Sequence, residues 1–126
     1  MRLLPALAAA ALLATPADAF VATYPFTVEQ TGPQEFTVAF ATTRFEIGYW
    51  CAAGEFVTRG LGLPNKTRIY RASPVPRGVG EGIVFTLDPA AGQRDSGLST
   101  FSANNDGSIS AGHALTFCSD FVFDTE

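Results

Sequence analysis

The chain contains only two cysteines, Cys51 and Cys118, in 126 residues. One pair of cysteines can close at most one covalent crosslink, and this one would tie the middle of the chain to its end. Disulfides persist in oxidising compartments outside the cytoplasm and are rare inside it. How the cysteines are interpreted therefore depends on whether the chain is exported.

The N-terminal segment has the pattern of a signal peptide. Arg2 supplies a short basic region, residues 3–14 form an apolar run, and Ala17-Asp18-Ala19 matches the small-x-small site of signal peptidase. The apolar run is shorter than the roughly 20 residues that a membrane-spanning helix needs. We therefore predict a signal peptide over residues 1–19, with cleavage after Ala19 and a periplasmic or secreted product.

Export and an even number of cysteines together predict a Cys51–Cys118 disulfide. The exported part, residues 20–126, is the length of one small domain, and its phenylalanines suit a single modest core. No segment after the leader is long and apolar enough to cross a bilayer, so we expect a soluble product. The net charge of −4 gives no attraction to nucleic acid.

Alternation of apolar and polar residues predicts short, half-buried strands along the chain. The predicted strands are residues 23–30, 35–41, 66–73, 82–88, 98–103 and 108–118. The turn residues Thr31-Gly32-Pro33-Gln34 join the first two into a hairpin, and Asn104-Asn105-Asp106-Gly107 joins the last two. The sequence thus predicts an α+β domain, an antiparallel sheet of about five to six strands with one main helix packed on it.

The helix occupies the segment that contains Cys51, but its start has two interpretations. Thr43 and Glu46 fit a capping box, which would begin the helix near Thr43. Alternatively, the preceding strand continues and the helix begins near Trp50, which would place Cys51 in the first helical turn. In both cases Gly62 and Pro64 end the helix.

A cysteine that opens a helix, followed by a Gly-Leu-Gly-Leu-Pro helix end and one histidine on a later strand, resembles the papain-like cell-wall peptidases of the NlpC/P60 type. The resemblance implies Cys51 as nucleophile and His113 as its base. The usual Asp-Cys-Ser-Gly motif is Trp50-Cys51-Ala52-Ala53 here. The chain also resembles small exported bacterial proteins with a Trp-Cys-Ala-Ala-Gly helix start and a Phe-Thr-Leu-Asp-Pro strand, which implies a fold but no activity.

His113 is the only histidine, and the alternation pattern places it on an apolar strand face. A lone histidine in that position is usually a core residue with a hydrogen-bond partner. One histidine and two cysteines are too few for an ordinary tetrahedral zinc site without carboxylates. We therefore expect no metal and no cofactor.

Most of the basic residues lie between positions 59 and 77. Arg59, Lys66, Arg68 and Arg77 would form an anion-binding surface if they shared one side of the fold. The sequence as a whole predicts a non-enzymatic binding or structural module of the cell envelope, whose partner is an anionic envelope component or another protein. The alternative is a cysteine hydrolase that acts on cell-wall peptide through Cys51 and His113.

Overall fold

A tight turn builds the first hairpin of the sheet, as predicted. The computed structural model describes residues 19–42, 46–98 and 106–124. Strand β1 (Phe20–Val21) pairs with β2 (Thr27–Gln30), and β2 pairs with β3 (Glu35–Val38), each antiparallel. The backbone N–H of Thr31 donates to the carbonyl of Glu35, which closes the turn between β2 and β3.

The remaining strands extend the sheet away from this hairpin. They are β4 (Arg68–Arg71), β5 (Ile83–Thr86) and β6 (Ile109–Ser110). The six strands lie in the order β1-β2-β3-β5-β4-β6, and each described pair is antiparallel. The antiparallel sheet predicted from the sequence is therefore confirmed, although its strands are shorter than the alternating segments.

Helix α1 (Glu46–Glu55) continues into a π-helical turn, Phe56–Gly60. The described residues are already helical at Glu46, so a start near Trp50 is wrong and Cys51 lies beyond the first turn. The helical segment ends before Gly62, whose φ of 72° is in the left-handed region that favours glycine.

The core lies between one face of the sheet and helix α1. The Trp50 ring meets Phe85 of β5 edge to face, with 4.8 Å between ring centroids. Tyr49 meets Phe26 in the same way at 4.9 Å. These aromatic side chains are fully or almost fully buried, so their packing on the sheet supplies much of the apolar burial of the domain. The predicted α+β class, a helix packed on an antiparallel sheet, is confirmed.

The prediction of one long strand over residues 108–118 is wrong, and the fold has a second main helix. Only Ile109–Ser110 is extended, and helix α2 (Ala111–Asp124) follows directly. The Ser110 Oγ accepts a hydrogen bond from the backbone N–H of His113, the geometry of a helix N-cap. The segment alternates, but its apolar residues also recur at three- and four-residue spacing, and the cap favours the helix.

Most of the first strand and turn of the second predicted hairpin, residues 98–107, lies outside the described residues. Residues 99–105 lie outside the described residues, as do residues 1–18 of the predicted leader and Thr43 of the predicted capping box. In the described part of the chain, β6 pairs with β4. Across residues 19–42, 46–98 and 106–124, no helix is both long enough and apolar enough to span a membrane.

Candidate functional site

The two cysteines are bonded to each other between helices α1 and α2. Cys51 is fully buried in α1, and Cys118 is half-buried on α2. Their Cα atoms are 5.0 Å apart, within the range that a disulfide requires. The predicted Cys51–Cys118 disulfide is confirmed, but it joins two helices and not a helix and a strand.

Small residues bring the two helices close enough for this bond. A Cβ atom added to Gly54 would lie 2.9 Å from the Cβ of Ala114 and 3.1 Å from the carbonyl oxygen of Ala111. Ala111 and Ala114 are themselves fully buried. The close approach of α1 and α2 therefore depends on the absence of bulk at these positions as well as on the disulfide.

Glu55 lies one helical turn after Cys51 and directs its carboxylate toward the disulfide. One oxygen of Glu55 and the two sulfur atoms of Cys51 and Cys118 all lie within 4.8 Å of one another. The backbone N–H of Thr23 donates to Glu55 Oε1, and the Thr23 hydroxyl donates to Oε2, both at 2.7 Å. Glu55 was not among the residues predicted for the site, although its four-residue spacing from Cys51 puts both residues on one face of a helix.

Arg59 is the charged neighbour of this carboxylate. Its guanidinium Nη2 lies 3.5 Å from Glu55 Oε2, and its side chain remains 59% exposed. The guanidinium also lies over the ring of Phe20, 5.1 Å from the centroid. Because the Arg59 end of the pair is open to solvent, the pair contributes little to stability, although the Glu55 side chain is only 13% exposed.

His113 does not lie where the alternation pattern predicts. It is exposed on the first turn of α2, with its ring 5.4 Å from that of Phe117. The expectation of a buried core histidine on a strand is therefore wrong. The structure brings Cys51 together with Cys118 and Glu55, and it holds the Cys51 sulfur in a bond that leaves no thiolate to attack a carbonyl.

The predicted anion-binding residues are spread along the sheet. Arg59 lies against Phe20 of the edge strand β1, whereas Arg68 starts β4, near the other edge. Arg68 Nε and Nη2 both donate to the hydroxyl of Ser108, and Nη2 also donates to its carbonyl. Lys66 is exposed in the turn before β4. Arg68 thus has protein partners, whereas the ammonium of Lys66 faces solvent.

Arg77, the fourth of these residues, belongs to a second charged cluster that is largely buried. Arg71 is fully buried, and its Nη1 lies 3.6 Å from Glu46 Oε1. Arg77 Nε lies 3.9 Å from Glu46 Oε2, and its guanidinium covers the Tyr49 ring at 4.7 Å. Burial lowers the pKa of Arg71, and the negative charge of Glu46 opposes that effect. We call Glu46, Arg71 and Arg77 the charged cluster.

Asp106 supplies a pH-dependent contribution to stability at the start of β6. The Ser108 hydroxyl donates to Asp106 Oδ1 at 2.7 Å and the Ser108 N–H donates to the same oxygen at 3.0 Å. These hydrogen bonds to the charged form lower the pKa of Asp106 below its ordinary value.

A lowered carboxyl pKa stabilises the fold above the unfolded value of about 4, and this stabilisation disappears as the pH falls through the folded pKa. We expect Asp106→Asn to lower the melting temperature at neutral pH and to have little effect once the carboxyl is protonated. Thermal unfolding of both proteins between about pH 7 and pH 2 measures this. A difference that does not change with pH would contradict the assignment.

No protein-family model, curated protein or solved structure matches the chain.

Proposed function

We propose that this chain is an exported, non-enzymatic binding module of the cell envelope, formed after residues 1–19 are removed. One observation carries the non-enzymatic part of the proposal: the sulfur of Cys51 is buried and bonded to that of Cys118. A nucleophilic cysteine needs a thiolate that a substrate can reach. Cys51 meets neither requirement while the disulfide is closed.

Exposed apolar side chains at one end of the sheet support the binding part of the proposal. Tyr24 in the β1–β2 turn is 88% exposed, and Phe40 after β3 is 45% exposed. Val79, in the loop between β4 and β5, is fully exposed. Antiparallel strands alternate in direction, so the β1–β2 turn, the end of β3 and the β4–β5 loop all lie at the same end of the sheet. We call Tyr24, Phe40 and Val79 the loop end.

The loop end favours a protein partner over an anionic polymer. Exposed aromatic residues are enriched where proteins bind one another. The guanidinium groups of Arg59, Arg68 and Arg77 already have carboxylate or hydroxyl partners within the domain. An anionic ligand would therefore have to compete with those partners, and Lys66 would be its least engaged contact.

Site-specific photo-crosslinking tests the loop end directly. A photoreactive phenylalanine derivative replaces Tyr24 in one protein and Gln34, exposed in the turn at the opposite end, in a matched control. We expect the first protein to give one discrete adduct with an envelope fraction and the control to give none. Excess unlabelled wild type should suppress the adduct. Excess Tyr24→Ser/Val79→Ser protein should not, although its stability should change by less than about 0.5 kcal/mol per substitution.

Two outcomes would contradict the proposal. An adduct at both positions, or equal competition by wild type and variant, would exclude the loop end as the recognition surface. Binding to an acidic polymer that weakens steeply with salt and is lost in Lys66→Glu would instead favour an anionic partner. Alkylation of Cys51 in the native, unreduced protein, together with loss of a peptide-cleaving activity, would favour the cysteine hydrolase.

A further inference from the structure

We propose that the reduced form of this protein binds one thiophilic divalent cation, such as Zn²⁺, through Cys51, Cys118 and Glu55. The three ligand atoms already lie within 4.8 Å of one another in the disulfide form. Two thiolates and a carboxylate are a donor set that zinc accepts, with water in the fourth position. This site goes beyond the proposed binding function and does not depend on it.

The framework that would hold the site includes contacts other than the sulfur–sulfur bond. Gly54 and Ala114 allow α1 and α2 to lie in direct contact. Cys51 and Glu55 are four residues apart on α1, so the helix fixes their relative positions. Reduction therefore removes one bond from an interface that small-residue packing also holds.

Thr23 orients the Glu55 carboxylate through two hydrogen bonds. Its N–H and hydroxyl each donate to a different oxygen of Glu55. A carboxylate oxygen can accept more than one bond, so both oxygens keep a lone pair for a cation. Partners of this kind orient metal ligands and typically change metal affinity by about 10- to 100-fold. Arg59, 3.5 Å from Oε2, opposes the cation by its charge.

Reduction of the disulfide and binding of the metal are two separate steps. A dithiol reductant transfers two electrons and two protons to the Cys51–Cys118 bond and becomes a disulfide itself. Zn²⁺ then replaces the two thiol protons, which are released to solvent. The disulfide and the metal thus exclude each other, because the same two sulfurs cannot form both.

Cobalt and zinc binding to the full exported chain test the site. The protein is reduced with dithiothreitol, separated from it without oxygen, and titrated with Co²⁺. We expect one Co²⁺ per chain with a thiolate-to-cobalt charge-transfer band, displacement by Zn²⁺, and no band in the oxidised protein. Zn²⁺ should also slow re-oxidation of the thiols.

Substitutions identify the third ligand. Glu55→Gln, which keeps the side-chain shape, should weaken Co²⁺ binding by at least about tenfold, since even the loss of a partner that orients a metal ligand changes affinity by that much. Glu29→Gln, an exposed substitution on β2, is the matched control and should have no effect. Arg59→Gln should strengthen binding, because it removes the opposing charge.

If the reduced chain unfolds without metal, circular dichroism of the chain with and without Zn²⁺ tests the same site. In that case we expect stoichiometric Zn²⁺ to restore the folded signal in wild type and not in Glu55→Gln. Three results would overturn the proposal: no thiolate–cobalt band in the reduced protein, equal binding by wild type and Glu55→Gln, or a reduced chain that stays unfolded with Zn²⁺.

Discussion

Replacing Cys51 or Cys118 with alanine is expected to lower the free energy of unfolding by about 4 kcal/mol, the loop-closure contribution for a crosslink of this span. The bond closes a sequence separation of 67 residues. Each substitution removes the same crosslink, so the two single variants should lose similar amounts. The loss is a large share of the roughly 5–15 kcal/mol that stabilises a typical domain.

Denaturant unfolding of both single variants and the double variant measures this prediction. The Cys51→Ala/Cys118→Ala protein should be little less stable than either single variant, because the two residues act as a unit. Wild type in the presence of a reductant should match the double variant. A stable Cys51→Ala beside an unstable Cys118→Ala would contradict a shared structural role.

Glu46→Gln is expected to lower the free energy of unfolding by about 2 kcal/mol, because the buried Arg71 charge would keep only its hydrogen bonds to the carbonyls of Ser73 and Pro74 and the attraction of Asp95. Arg71 is fully buried, and Glu46 is the carboxylate nearest its Nη1. Glu46 also lies 3.9 Å from Arg77. Two guanidinium groups would then face each other across a neutral amide in a largely dehydrated site.

Two comparisons distinguish this effect from the loss of any surface charge. Glu29→Gln removes an exposed carboxylate and should change stability by less than about 0.5 kcal/mol. Arg71→Met removes the buried charge itself, so Glu46→Gln should cost less in that background than in wild type. If Glu46→Gln proves as mild as Glu29→Gln, the charged cluster does not stabilise the fold.

The sequence predicted those features that depend on a local pattern of residues or on the even number of cysteines. The turn at residues 31–34 and the alternation of β3 predicted the first hairpin. Alternation with a period of two residues is typical of a strand, and a Gly-Pro pair is typical of a turn. The disulfide followed from the predicted export and from the presence of only two cysteines. A helix around Cys51 followed from its capping signal and from Gly62 and Pro64 at its end.

The segment from 108 to 118 shows where local pattern is insufficient. Its residues fit both an alternating strand and an amphipathic helix, and Ser110 is a helix cap only if the chain turns there. The tertiary structure decides between them, because Ala111 and Ala114 can pack against Gly54 only from a helix. Because the segment is helical, His113 is exposed and Cys118 lies next to Cys51 of α1.

The charged groups depend even more on the tertiary structure. From the sequence, Glu46 was predicted to belong to a capping box and Arg77 to an anion-binding surface. In the fold, Glu46 instead lies next to both the buried Arg71 and Arg77. Thr23 and Glu55 meet across 32 residues of chain. Such pairs leave no periodic signal, because electrostatic and hydrogen-bond partners are selected by distance in space. The sequence by itself therefore determined the crosslink and the sheet, whereas only the packing of α1 on the sheet and on α2 decided which polar groups surround them.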